Sequence, residues 1–276
     1  MVFLVSSVKP TTQEKLEELI RLLKDLKSCA IAYSGGVDST FLSKVTYDIL
    51  GDKALAVTAT SSTYPQRELE DARRYAKEIG IHHVIIHSEE LDIPLFSDNS
   101  PDRCYYCKKE LFYKIQQIAK DYHLSTIVDG SNADDTSDYR PGARARDELG
   151  VRSPLKEVGL SKQEIRELSS RMHLKSGEKP AFACLASRFP YGTKITKERL
   201  AQVEAAEEYL RSLGIQQCRV RYHDHIARIE VQTEEIPLIL THATTIIKRF
   251  KTLGFTYITI DIEGYRTGSL NEVLTQ

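Results

Sequence analysis

Leu16, Leu19, Ile20 and Leu23 recur at the three- and four-residue intervals of one helical face, and Thr11 with Glu14 supplies a capping box ahead of them. The run Cys29 to Tyr33 carries no charge and reads as a buried strand, with a Gly-rich turn directly after it. Phe41, Val45 and Ile49 then stripe a second helix, Ala54 to Thr58 makes a second strand, and Glu68 to Ile79 a third helix. Val84 to His87 and Thr126 to Asp129 are two further strands. Strands that alternate with helices of this length close right-handed crossovers. The pattern therefore predicts an α/β fold, a doubly wound parallel sheet that takes its ligands at the carboxyl ends of its strands.

The grammar changes beyond a helix at Ser161 to Met172. Lys175 to Thr193 holds four Gly or Pro breakers and no helical or strand period, which places a domain boundary there. Lys197 to Leu213 reads as a helix ended by Gly214, and Gln217 to Tyr222 and Ile226 to Val231 as two short strands around a His-Asp-His turn. One long helix over Ile236 to Leu253 and a last strand over Thr256 to Ile262 complete a smaller C-terminal α+β domain. The expected division is 1–178 for the sheet domain, 179–194 for a linker, and 195–276 for a domain of substrate binding or assembly.

Charge narrows the function. With 38 Lys and Arg against 39 Asp and Glu the net charge is −1, which argues against a protein that grips nucleic acid by bulk charge. No apolar run reaches the ~18 residues of a membrane span, and Met1 to Val8 lacks the features of a signal peptide, so the expected location is the cytoplasm. Five cysteines are too few for a disulfide framework in 276 residues, so their spacing matters more than their number.

The sharpest motif is Ser34-Gly35-Gly36-Val37-Asp38-Ser39-Thr40, between a strand and a helix. Two glycines let the backbone approach a ligand, while Ser34, Ser39, Thr40 and the free amides of the helix start aim donors at one spot, which suits a pyrophosphate. The lysine of a Walker A loop is absent, and Asp38 is placed to hold magnesium. The plainer alternative is a glycine turn with Ser39 capping the helix.

These residues are similar to the PP-loop signature of the ATP pyrophosphatases, whose fold is the adenine nucleotide alpha hydrolase-like sheet. Further along, Asp129-Gly130-Ser131-Asn132-Ala133-Asp134-Asp135-Thr136-Ser137-Asp138-Tyr139-Arg140-Pro141-Gly142, then Ser187-Arg188-Phe189-Pro190-Tyr191-Gly192-Thr193, then Arg219 and Arg221, resemble the LarE family over essentially the whole chain. Its members use ATP to insert sulfur into pyridinium-3,5-biscarboxylic acid mononucleotide, a step toward the nickel-pincer nucleotide cofactor of lactate racemase. The chemistry follows from the substrate: a carboxylate is a poor electrophile, and adenylation gives it AMP as a leaving group for attack by sulfur. Asp134 and Asp135 are candidates for metal or ribose contacts, with Asx turns in a polar loop as the alternative.

Arg219 and Arg221 sit two apart on a strand and project from one face, a pair of forks suited to a phosphate. By resemblance they hold the substrate phosphate together with Arg266, and Ser187 with Arg188 lies near the reacting carboxylate. The alternative is a solvated sheet face paired across strands with Arg228 and Glu230. The resemblance also implies a hexamer and, in some members, a metal held between subunits by acids. Glu207 and Glu230 match two of those acids but Leu238 replaces a third, so solvent exposure is the expectation for both glutamates.

Cys104 and Cys107 lie one turn apart at a helix start after Pro101-Asp102, and Cys184 lies in the linker three residues before Ser187. Some LarE enzymes sacrifice a cysteine of their own as the sulfur source, and its aligned position here is Ala183. Three thiolates from two elements instead bind three irons of a [4Fe–4S] cluster and leave the fourth open to sulfide from a separate source, as in other members. Core packing continuous with Leu111, Ile115 and Ile118, a zinc site, and disulfide-prone thiols are the alternatives. Cys29 and Cys218 read as core. Rival functions are a PP-loop tRNA thiolation enzyme and an ATP-binding sensor without chemistry.

Overall fold

The computed structural model describes residues 10–136, 141–180 and 183–274. Met1 to Val8 and the Asp138-Tyr139-Arg140 stretch of the motif after Asp129 lie outside the described residues. The sheet domain holds the strands β1 (Cys29–Ala32), β2 (Ala54–Thr60), β3 (His82–His87) and β4 (Thr126–Asp129), all parallel, in the order β3-β2-β1-β4. Its helices are α1 (Thr12–Leu26), α2 (Val37–Leu50), α3 (Gln66–Ile79), the short α4 (Pro94–Ser97), α5 (Arg103–Asp121), α6 (Pro141–Glu148), the short α7 (Pro154–Glu157) and α8 (Lys162–Arg171). The expected capping box opens α1, where Thr11 and Glu14 satisfy each other's backbone amides, and Ser161 with Glu164 repeats it at α8.

Alternation along the strands divides the core. Cys29, Ile31, Ala54, Ala56 and Val128 pack with α1, α2, α3 and α8, while Ala30, Leu55, Val57 and Ile127 pack with Phe112, Ile115 and Ala119 of α5. Helices therefore cover both faces, as a parallel sheet requires. Strand order reverses between β1 and β4, and the crevice at their carboxyl ends lies there.

The C-terminal domain packs α9 (Lys197–Ser212) on a three-stranded sheet of β5 (Cys218–His223), β6 (Ile226–Val231) and β7 (Tyr257–Ile260). β5 and β6 run antiparallel, and β6 and β7 parallel. The long helix expected over 236–253 is two, α10 (Ile236–Thr241) and α11 (Ala243–Thr252), broken at His242. Thr241 and Thr245 donate hydroxyls to the Pro237 and His242 carbonyls at 3.0 and 2.9 Å, local bonds that compete with the helical ladder. No helix among the described residues is long and apolar enough to cross a membrane.

Candidate active site

The chain leaves β1 through Ser34-Gly35-Gly36 and enters α2 with Gly36 at the N-cap, where no side chain caps the helix. Ser39 does not take that role. Its hydroxyl lies 3.2 Å from both the Ser34 amide and the Ser34 hydroxyl, tying the loop back on itself. The first amides of α2 are thus left facing the crevice, an anion site made of backbone and helix dipole. Gly35 has φ +64°, and a Cβ there would stand 2.7 Å from the Ala72 Cα, so the loop lies directly on α3. Tyr64 donates to the Ser34 carbonyl at 2.7 Å and fixes the turn from the other side.

The segment after β4 faces the same crevice. A Cβ on Gly130 would meet the Ser39 amide nitrogen at 3.0 Å, so this backbone passes against the start of α2. The Asp135 carboxylate accepts the Asn132 amide at 3.0 Å, a turn contact of the kind the plainer reading gives it. Asp134 accepts the backbone amide of Lys162 at 2.8 Å, and the Lys162 ammonium reaches the Asp38 carboxylate at 2.5 Å. Lys162 therefore links the two loops. The other Asp38 oxygen, Oδ1, is buried without a hydrogen-bond partner, and an unsatisfied carboxylate oxygen is the chemistry that holds a hard cation.

Cys104 is exposed on the first turn of α5, and Cys107 and Cys184 are half-buried against the C-terminal core. Burial holds the Cys107 thiol well above its ordinary range, and the Glu90 carboxylate, Cys184 and Cys104 all raise it further. The three thiols thus share one neighbourhood, with Glu90 Oε1 3.8 Å from the Cys107 sulfur. Among the described residues, however, no group of three His, Cys, Asp or Glu side chains stands close enough to hold a metal ion. The three thiols are the donor chemistry of an iron–sulfur site, and they do not form a preassembled one.

Glu207 and Glu230 are not solvent-exposed as expected: each retains 1% of its accessible surface. Each is the counter-ion of a buried arginine, a geometry that spacing along one strand or helix does not reveal. Glu207 takes the Arg188 fork at 2.8 and 2.9 Å, and Glu230 takes the Arg221 fork at 2.9 and 2.7 Å. Burial would raise Glu207, yet Arg188 and Arg211 hold it down to about 2. With their oxygens turned inward to guanidinium groups, these acids do not fit an inter-subunit metal. Arg219 and Arg221 do share one face of β5, opposite Cys218, Val220 and Tyr222, but that face is buried rather than solvated. The Arg219 guanidinium lies 5.1 Å from the Tyr265 ring centroid, and Arg266 pairs with Glu263 and Glu272. Ser187 donates its hydroxyl to the Cys184 carbonyl at 2.9 Å.

A profile of the NAD synthase family matches residues 13–104, the span from α1 to the start of α5. An uncharacterised protein of Synechocystis sp. is 45% identical over 96% of this chain and 99% of its own length. The pyridinium-3,5-bisthiocarboxylic acid mononucleotide synthase of Lactiplantibacillus plantarum is 39% identical over 96% of this chain and 97% of its own. The chain belongs to the LarE family. An uncharacterised protein of Methanocaldococcus jannaschii, 31% identical over 91% of this chain and 98% of its own, is a further relative.

LarE proteins are PP-loop enzymes, and this chain is an ATP-dependent sulfurtransferase of that class. Three residues that touch these loops carry no motif in the sequence. Lys162 follows a capping Ser161 and looks like an ordinary first-turn lysine. Asn99 and Arg103 look like loop and helix-surface residues, yet both are buried: Arg103 donates to Asn99 at 2.7 Å, and Asn99 donates to the Phe189 and Pro190 carbonyls at 3.2 and 2.7 Å. The helix of Cys104 and Cys107 is thereby tied to the end of the linker. Only the left-handed backbone of Asn99, φ 57°, marks the turn that does this, and it is invisible in sequence.

Proposed function

We propose that the protein adenylates a carboxylate of pyridinium-3,5-biscarboxylic acid mononucleotide and converts it to a thiocarboxylate, for the nickel-pincer nucleotide cofactor. The observation that carries this reading is the uncapped start of α2 beside Asp38, in a chain that spans nearly the whole of a synthase of the product. The α2 amides would receive the β- and γ-phosphates, and Asp38 would hold a magnesium ion, which would neutralise the charge of the leaving pyrophosphate. A substrate carboxylate oxygen attacks the α-phosphorus, and pyrophosphate leaves. Sulfide then attacks the acyl carbon, AMP leaves, and the thiocarboxylate remains. Arg219, Arg221 and Arg266 are the cations of the C-terminal domain that would meet the substrate phosphate, Arg221 by sharing its fork with Glu230.

Cys104, Cys107 and Cys184 would hold a [4Fe–4S] cluster, which would supply sulfide that can be replenished. The full reaction tests the reading. ATP, magnesium and the dicarboxylate nucleotide should give AMP and pyrophosphate in equal amounts, and Asp38→Ala should abolish both. ADP and inorganic phosphate as products would overturn it. Anaerobic reconstitution tests the cluster separately, with about four irons and four sulfides per subunit expected. Iron-free protein that still inserts sulfur would exclude it.

A further inference from the structure

The segment carrying Cys184 is gripped by the C-terminal domain. Arg188 lies 2% exposed, with two nitrogens on Glu207 of α9. Its remaining terminal nitrogen, Nη1, donates to the Ala183 carbonyl at 2.7 Å, the Cys184 carbonyl at 3.1 Å and the Ser187 hydroxyl at 3.0 Å. The Cys184 carbonyl also accepts from the Ser187 amide at 3.0 Å. Arg221, held by Glu230 of β6, donates its own Nη1 to the Ser187 carbonyl at 2.7 Å. On the opposite side the Leu185 amide donates to the Thr63 carbonyl at 2.9 Å and ties the segment to the sheet domain.

Burying two ion pairs is costly in desolvation, and an apolar replacement of similar shape is often as stable, so net stability is a poor account of their presence. A bidentate guanidinium–carboxylate pair is planar and fixes the fork in one orientation. Here each fork has nitrogens to spare, and they close on the backbone on either side of one thiol. We propose that Arg188–Glu207 and Arg221–Glu230 form a clamp that positions Cys184, so that Glu207 and Glu230 are positioning residues of sulfur transfer. The role given to Cys184 rests on the proposed function; the clamp rests on the geometry alone.

Arg211 provides an internal control, because it bonds Glu207 at 2.7 Å and, among the described residues, makes no bond to the linker. Cys29, buried in the sheet-domain core, reports on global unfolding, and Cys218, whose thiol lies 3.8 Å from the Glu207 carbonyl, on loosening of the C-terminal core. The test uses the full chain with its thiols reduced and metals chelated, and follows iodoacetamide labelling of each cysteine by mass spectrometry. Glu207→Gln should raise the labelling rate of Cys184 about tenfold, with Cys29 and Cys218 still protected, and Glu207→Asp should recover part of the difference. Arg211→Met should leave Cys184 at the wild-type rate. In turnover, Glu207→Gln should keep pyrophosphate release within about twofold of wild type while thiocarboxylate formation falls about tenfold or more.

Glu230→Gln repeats the labelling test alone through Arg221, should Glu207→Gln fail to fold. A Cys184 rate within about twofold of wild type in the folded variants overturns the clamp. Simultaneous exposure of Cys29, Cys218 and Cys184 also overturns it, since the pairs would then only support the fold. If wild type releases no pyrophosphate, the proposed function fails, while the labelling rates still decide the clamp.

Discussion

The five thiols experience very different surroundings. Burial pushes Cys29 and Cys218 up to about 12, and burial with Glu90 raises Cys107 well above its ordinary value, whereas Cys104 stands in solvent. Thiolate is the reactive form, so a maleimide at pH 8 should modify Cys104 first and Cys29 and Cys218 only after denaturation, as peptide mapping would show. Glu207 supplies a second prediction. Arg188 and Arg211 hold its carboxyl down to about 2, against 4.5 for an ordinary glutamate, so the stability it contributes is present above about pH 4.5 and lost as pH falls toward 2. Urea midpoints measured from pH 6 to pH 2.5 should fall over that window, and Glu207→Gln should flatten that part of the fall.

Among the elements, the loop from β1 to α2 depends on its contact with α3. Gly35→Ala puts a side chain into left-handed backbone, at about 1–2 kcal/mol, and against the Ala72 backbone as well. The expected outcome is loss of ATP binding by calorimetry in a protein whose circular dichroism still shows both domains. α8 contributes through its first residue. Lys162→Met removes the cation beside Asp38 and should lower pyrophosphate formation about a hundredfold, with a smaller effect on substrate affinity. Equal losses in both would mean that Lys162 holds the loop only as part of the fold.

Across the whole molecule, the linker is anchored at both ends. Lys179, 9% exposed, lies 2.7 Å from both Glu68 and Asp71 of α3, and Arg166 of α8 donates to the Gly177 and Lys179 carbonyls. Beyond Cys184 the grip passes to Arg188, Arg221 and the Asn99 turn. Lys179→Met removes the cation shared by Glu68 and Asp71, which keep Arg67 and Arg74 as partners, and should cost about 1.5–3 kcal/mol in denaturant unfolding. The cleft beside this anchor, about 410 Å³ including its open mouth, is lined by Glu68 of α3, by Lys179 of the linker and by Glu204, Glu207 and Arg219 of the C-terminal domain. The Gln66 amide crosses it to Glu204 at 3.0 Å.

The sequence by itself determined the sheet and the nucleotide loop, because both are local. A strand of period two, two glycines and a helix start are contiguous, and Ser34 to Thr40 carry their own geometry. It also set Cys29 and Cys218 in the core, where strand alternation puts them. Only the tertiary structure decided the charges. Arg188 and Glu207 are 19 residues apart and Lys162 and Asp38 are 124, and no period links such positions. A glutamate on a helix reads as solvated until folding brings a guanidinium against it. The same holds for the thiols: Cys104 and Cys107 share a helix turn by spacing, but Cys184 reaches them only because the C-terminal domain packs behind the linker.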